Sequence, residues 1–307
     1  MKFGIIKERK STPDRRVVFT PDELARLKQL QQGISIKVES SEIRAFSDIE
    51  YRNMGIEVAD DISDCEIFFG VKEVPIENLV PNKTYFFFSH TIKKQPYNRK
   101  LLQALLEKNI DFYDHETIVN EYNKRLIGFG KYAGYVGAYN SIRAFGIKFE
   151  LFKLPKAESE RFTKVSDIYI TGHFYGNGAP DILTREMLKA NDCKIKVVGD
   201  ISCDVNSSIA CTLRASTIDE PLYGYLPSDN KEVDIFHPAA IVVMAVDNLP
   251  CELPREASEG FGEMFMEHVI PAFFNGDKDG ILKRAKMTEK GKLTERFSYL
   301  QDYVDGK

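Results

Sequence analysis

Apolar residues along this chain fall into short runs set between amphipathic stretches. Residues 2–6, 34–38, 66–71, 84–88 and 110–113 are runs of branched or aromatic side chains of strand length, bounded by polar or turn residues. Helical patterns lie between them. Thr20-Pro21-Asp22-Glu23 predicts a helix start, with Thr20 as cap, Pro21 in the first turn and Glu23 three residues after the cap. Leu24, Leu27 and Leu30 give that helix its apolar stripe, and Gly33 ends it. Ser47 predicts the cap of a short helix through Asn53. Residues 99–108 predict a further helix, with Leu101, Leu102, Leu105 and Leu106 on one face. Strands alternating with helices imply a parallel sheet with helical crossovers.

The pattern changes after residue 130. Residues 131–148 predict a long helix whose small residues Ala133, Gly134, Gly137, Ala138 and Ala144 permit close packing. Strands are expected at 165–171, 195–198 and 240–246, with a helical turn at 184–188. Pro254 to Ser258 opens a last long helix carrying Phe261, Met264, Phe265, His268 and Val269, with Pro271 within it or at its end. From Lys286 onward the tail is polar and carries no strong pattern. A length of 307 residues favours two domains. The expected division is 1–139, with 255–307 returning to it, and 140–254.

Ligands of open parallel sheets bind just past the carboxyl ends of the strands. Here those ends carry ionisable groups: Lys7-Glu8, Lys72-Glu73, Ser89-His90 and Asp114-His115-Glu116. The loop bearing Arg15 and Arg16 can reach the same place. An amine at Lys72 and an imidazole at His90 suit one shared proton-transfer task. A guanidinium at Arg16 suits a carboxylate through two parallel hydrogen bonds. Each also has a plainer reading: Lys72 as a solvated lysine, His90 as a packed ring, one of Arg15 and Arg16 as a surface charge. His173, His237 and His268 read as structural. Asp200 and Asp204 are two carboxylates without further ligands, and Asp114, His115 and Glu116 point different ways along a strand end, so no metal is expected.

Composition narrows the partners. A net charge of −4 with well-mixed signs gives no field for nucleic acid or an anionic membrane. No apolar run approaches the length of a membrane span, and the start MKFGIIKERK does not read as a secretory signal. Five cysteines with no CxxC argue against a zinc site or a disulfide framework and for free thiols in a reducing cytoplasm. A Cys203–Cys211 bridge across a loop is the alternative.

A set of segments in order resembles the alanine dehydrogenase and transhydrogenase superfamily, and within it the lysine-forming saccharopine dehydrogenases and their bacterial relatives. These are DRRVVFTP at 14–21, GVKEVP at 70–75, FSHTIKKQ at 88–95, GFGKYAGYVGAYNSIRAFG at 128–146, DIYITGHFY at 167–175, VVGDISCD at 197–204 and VDNLPCELPREAS at 246–258. The resemblance implies an α/β fold of two Rossmann-like domains with parallel sheets, one for substrate and one for NAD. It implies Lys72 and His90 as the acid–base pair, Arg16 as a carboxylate grip, and Glu73, Lys93 and Glu116 as polar groups around an amino-acid or dicarboxylate pocket. It implies Asp204, Val246, Asp247 and Leu249 as the part facing the nicotinamide. The implied chemistry is oxidation at a carbon–nitrogen bond in lysine or related amino-acid metabolism. The oligomeric state stays open, a homodimer among the alternatives.

One family feature is missing. The pyrophosphate of NAD sits on a G-x-G-x-x-G turn at a helix start, and no such motif occurs here. Gly128 and Gly130 are followed by Gly134 at the wrong spacing, and Gly176-Asn-Gly178 has no third glycine. The chain passes from residues 151–157 directly to 158–166, where the family continues into its first nucleotide-binding strand. About one or more βαβ units of ~30 residues each are absent, so the second sheet is expected to be reduced. An amino-acid dehydrogenase, a cofactor-free amino-acid binder and an inert scaffold are the three readings this leaves.

Overall fold

The structure is a computed structural model and describes residues 1–9, 13–31, 33–149, 168–172, 182–191 and 193–307. In chain order the strands are β1 (Lys2–Ile5), β2 (Ser35–Glu39), β3 (Glu57–Ala59), β4 (Ile67–Phe69), β5 (Thr84–Phe87), β6 (Asp111–Asp114), β7 (Ile168–Thr171), β8 (Val197–Asp200), β9 (Leu222–Leu226), β10 (Lys231–Val233), β11 (Ile241–Met244), β12 (Lys286–Glu289) and β13 (Lys292–Leu293). Helices among the described residues include α1 (Pro21–Leu30), α2 (Asp48–Asn53), α3 (Arg99–Glu107), α4 (Gly130–Lys148), α5 (Arg185–Lys189) and α6 (Pro254–His268). Contacts divide the chain into two compact units, Met1–Phe129 with Pro254–Lys307, and Gly130–Leu253. The division falls at the start of α4 rather than inside it.

The first unit holds an eight-stranded sheet in the order β13-β12-β6-β5-β4-β1-β2-β3. Strands β3, β2, β1, β4, β5 and β6 run parallel. Helix α1 begins as its sequence demands: Thr20 Oγ1 accepts from the Glu23 N–H, and the Glu23 carboxylate accepts from the Thr20 N–H. The same box closes α2 at Ser47 and Glu50. One sheet face is aromatic. The Phe69 and Phe86 rings stack with centroids 5.1 Å apart, Phe86 and Tyr113 stack at 4.3 Å, and Phe265 of α6 meets Phe69 edge-on at 5.6 Å. The other face packs Phe68, Tyr85, Phe87 and Phe112 with Leu101, Leu102 and Leu105 of α3. Alternation along each strand thus buries both faces, as a parallel sheet between helices requires.

The tail departs from its sequence pattern. Residues after 285 form the hairpin β12–β13, antiparallel to β6, with Met287 and Thr288 fully buried. Its alternation is only two residues deep, too short to register as a strand signal. Pro271 does not end the long helix; it lies in the first turn of a separate short helix, Ile270–Phe274.

The second unit holds a five-stranded sheet in the order β10-β9-β11-β8-β7. Its parallel strands β7, β8 and β11 match the three expected, and the antiparallel strands β9 and β10 add an unforeseen hairpin. The expected strand at 165–171 is seen from Ile168; residues 150–167, His173, Gly176, Gly178 and Pro180 lie outside the described residues. Helix α4 lies close on this sheet. A Cβ on Gly137 would fall 2.5 Å from Ile201 Cγ1, and one on Gly199 would fall 1.8 Å from Ser141 Oγ. Ala144 is fully buried in the same face. Gly134 meets nothing within 4 Å, so its smallness is not spent on packing.

Candidate functional site

The parallel order β6-β5-β4-β1 sets four carboxyl ends in a row. Pairing runs on past the strands: the Gly70 N–H donates to the Phe86 carbonyl at 2.9 Å and the Phe88 N–H to the Val71 carbonyl at 3.0 Å. The chain turns away directly afterwards, at Lys72 on one strand and Ser89-His90 on its neighbour. The backbones of Lys72 and His90 therefore start from adjacent strand ends, about 5 Å being the usual spacing of such strands. Both residues are half-buried.

His90 takes the left-handed conformation, φ +55°, and opens a single 3-10 turn, Thr91–Lys93. Its Nδ1 lies 3.1 Å from Glu116 Oε2, and the other oxygen of Glu116 accepts from Arg125 Nη2 at 2.9 Å. Burial works against the charged Glu116 carboxylate, but the His90 bond, Lys93 and Arg125 outweigh it and hold the group down at about 2. The structure thus brings together His90, Glu116 and Lys93 from the sequence expectation. It adds Arg125, which no sequence signal distinguishes from the other basic residues of its loop.

Lys7 and Glu8 part company. Lys7 turns to Glu39, with Nζ 3.9 Å from Oε1, and Arg9 joins that carboxylate. Glu8 turns the other way and accepts from the Val71 N–H at 2.7 Å and the Lys72 N–H at 2.9 Å. Burial and the nearby Asp14 push its carboxyl up to about 8. Arg16 is buried, and its guanidinium clasps Asp14 through Nε at 3.0 Å and Nη2 at 2.6 Å, with the Phe129 ring 4.2 Å beneath it. Asp14 is a residue the sequence argument missed. Its signal is the Asp-x-Arg spacing that lets one loop supply both halves of the pair. Glu73 is half-buried beside Lys72.

His115 is not at the solvent side of this row. It is fully buried among Phe88, Phe261 and Phe265, and its Nε2–H donates to the Gly70 carbonyl at 2.8 Å. Burial holds the ring down at about 3, so it is neutral, and among the described residues its Nδ1 has no partner. Glu8 and His115 thus hold the Gly70–Lys72 turn from both sides, one through its N–H groups and one through a carbonyl.

In the second unit β8 and β11 are adjacent and parallel, so the segments bearing Asp204 and Val246, Asp247 and Leu249 leave neighbouring strand ends. Val246 and Leu249 are buried with Val136 and Met244; Asp247 is exposed and Asp204 half-buried. NAD would need backbone N–H groups there for its pyrophosphate. The Ser202 N–H is already taken by Asp200 Oδ1 at 3.1 Å, and the Asp247 N–H by the Ser216 carbonyl at 3.1 Å. Neither of these two N–H groups is therefore open to a pyrophosphate. Asp200, Asp204 and Asp247 would add repulsion to an anionic ligand. Among the described residues no group of three or more His, Cys, Asp or Glu side chains could hold a metal, all five cysteines are free thiols, and no helix is long and apolar enough to cross a membrane.

Known proteins give this geometry a context. Residues 4–136 match the family profile described as alanine dehydrogenase/PNT, N-terminal domain. An alpha-aminoadipic semialdehyde synthase of Arabidopsis thaliana is 25% identical over 435 aligned positions, covering 97% of this chain and 41% of the relative. A saccharopine dehydrogenase [NAD(+), L-lysine-forming] of Schizosaccharomyces pombe is 24% identical, covering 83% of this chain and 89% of its own length. The chain spans less than half the length of the synthases it matches, 41% of the Arabidopsis protein and 46% of the rat one. A stretch of 435 aligned positions against a chain of 307 residues leaves at least 128 positions of the relative with no counterpart here. A solved L-alanine dehydrogenase superposes with a TM-score of 0.74 at 15% identity, over 100% of this chain and 99% of that one, which establishes a shared fold. Residues 4–136 thus carry the alanine dehydrogenase/PNT N-terminal domain, and the relatives and the shared fold together support the alanine dehydrogenase/transhydrogenase superfamily.

Proposed function

We propose that the first unit binds an amino acid or dicarboxylate of the saccharopine, lysine and 2-oxoglutarate class at the carboxyl ends of β4, β5 and β6, as part of amino-acid dehydrogenase chemistry at a carbon–nitrogen bond. The observation that carries the reading is the His90–Glu116–Arg125 array on the strand end next to Lys72. With Nδ1–H directed at the Glu116 carboxylate, the lone pair of His90 resides on Nε2, the tautomer a base requires. Glu116 stays ionised under that arrangement and stabilises the imidazolium once a proton arrives. Lys72 supplies a second proton carrier. Lys93 and Arg16 supply positive charge for carboxylate groups, Arg16 with two N–H groups already given to Asp14. Glu73 supplies a further polar contact to the substrate.

NAD is the cofactor the family uses, and Asp204, Val246, Asp247 and Leu249 are the positions that would border its nicotinamide. Because the sequence has no G-x-G-x-x-G turn and the Ser202 and Asp247 N–H groups are taken, the redox half of the reaction is not assigned to the described second-unit residues. That favours a second reading: a protein that retains amino-acid binding without turnover of NAD. NADH fluorescence separates the two. Enhanced emission that saturates below millimolar cofactor supports the dehydrogenase, and its absence supports the binder. Calorimetric titration with saccharopine, lysine and 2-oxoglutarate tests what both share, and absence of heat with all three refutes both.

A further inference from the structure

We propose that Asp114 is the positioning residue of the His90–Glu116 pair. This deepens the reading of His90 as a proton carrier and rests on it. Asp114 closes β6 and is fully buried. Its Oδ2 accepts from the Ser89 N–H at 3.0 Å and from the Ser89 hydroxyl at 2.5 Å. Its Oδ1 accepts from the Glu116 N–H at 2.8 Å. One carboxylate therefore grips the backbone just before His90 on one strand end and that of Glu116 on the next.

The grip extends to the other side of His90. Ser89 Oγ accepts from the Thr91 N–H at 3.2 Å and lies 2.8 Å from Thr91 Oγ1. His90 sits between these anchors with φ +55°, a conformation non-glycine residues rarely adopt unless their surroundings impose it. Its ring is further aligned by Phe88, nearly parallel at 6.1 Å. Burial and the charge of Glu116 push the Asp114 carboxyl up to about 6. The fold accepts that cost at a position where the carboxylate holds both members of the pair. Asparagine there would turn an N–H₂ toward either Ser89 or Glu116, and one of the two grips would open.

The test follows the ring proton rather than turnover. In full-length protein with ¹⁵N-histidine, the Nδ1 proton of His90 gives a low-field resonance when held by Glu116, assigned by its loss in His90→Gln. Asp114→Asn is expected to speed exchange of that proton with water about tenfold or more, the scale of one lost charge-assisted hydrogen bond. Circular dichroism monitors the fold. Should Asp114→Asn fail to fold, Ser89→Ala decides: it removes the hydroxyl's bonds to Asp114 and Thr91, leaves the Ser89 N–H bond to Asp114, and is expected to speed exchange by about threefold or more. Exchange within twofold of wild type in the folded variants overturns the proposal. Failure of wild type to bind any amino acid would refute the proposed function while leaving this test intact.

Discussion

Alanine at position 199 would put a methyl group where the second unit has no room for one. The new Cβ would lie 1.8 Å from Ser141 Oγ, 2.9 Å from Ser141 Cβ and 3.6 Å from Met244 Cε. Ser141 has little freedom to yield, since it is fully buried in α4 and its hydroxyl donates to the Gly137 carbonyl at 2.7 Å. Overpacking of this kind costs about 1–3 kcal/mol, and a contact this short belongs at the upper end, about 3 kcal/mol. Ser141→Gly removes both offending atoms and leaves only the ordinary Met244 contact, at a cost of its own of about 1 kcal/mol from helix propensity. The double variant is therefore expected to cost only the ~1 kcal/mol of Ser141→Gly itself, a coupling of about 3 kcal/mol. The two units need not unfold together, so a global melt is the wrong probe. Hydrogen exchange of the β8 amides, residues 197–200, followed by mass spectrometry in the full chain, reports the second unit directly. Additive effects, with coupling below about 0.5 kcal/mol, would refute the packing described.

Three further outcomes are expected. Burial holds His115 near 3, below the ordinary 6.5, so its neutral ring contributes fully above pH 6.5 and loses that contribution as pH falls toward 3; His115→Phe should flatten the stability slope there by about 1.4 kcal/mol per pH unit, read from urea midpoints between pH 4 and 6. Glu8 behaves in the opposite sense. Its carboxyl is raised from 4.5 to about 8, so its contribution is present at low pH and is lost as pH rises through 8; Glu8→Gln should remove that decline while costing about 1–3 kcal/mol through an amide N–H₂ set against the Val71 or Lys72 N–H. Arg16→Ala breaks a buried ion pair with Asp14 and is expected to cost about 3–5 kcal/mol as well as ligand affinity, checked by denaturation beside calorimetry.

Much of the first unit was legible because its signals are local. Thr20 and Glu23 declare a capping box, Leu101 and Leu105 declare a helix face, and the aromatic run at 84–88 declares a strand by length and composition. The strand-end rule then drew attention to Lys72, His90 and Glu116 without any knowledge of side-chain contacts. The partners were less legible because they are set by pairing between distant segments. Glu8 meets the Lys72 backbone 64 positions away, and Asp114 meets Ser89 across 25. His115 stands between two acids in sequence, and at the end of β6 it turns away from them into the aromatic core. In the second unit, the hairpin β9–β10 escaped notice because Gly224 breaks the apolar run; its backbone approach to Asp234 and Val233 leaves space for nothing larger.

The central claim is that the row of strand ends holding His90 is where an amino-acid ligand sits. Titrating saccharopine into ¹⁵N-histidine-labelled protein tests it directly, with the His237 ring, half a chain away in the second unit, as reference. The account predicts a saturable shift of the His90 ring resonances with those of His237 unmoved. A His90 ring that stays still through saturating ligand, while calorimetry reports binding, would place the ligand elsewhere and contradict the account.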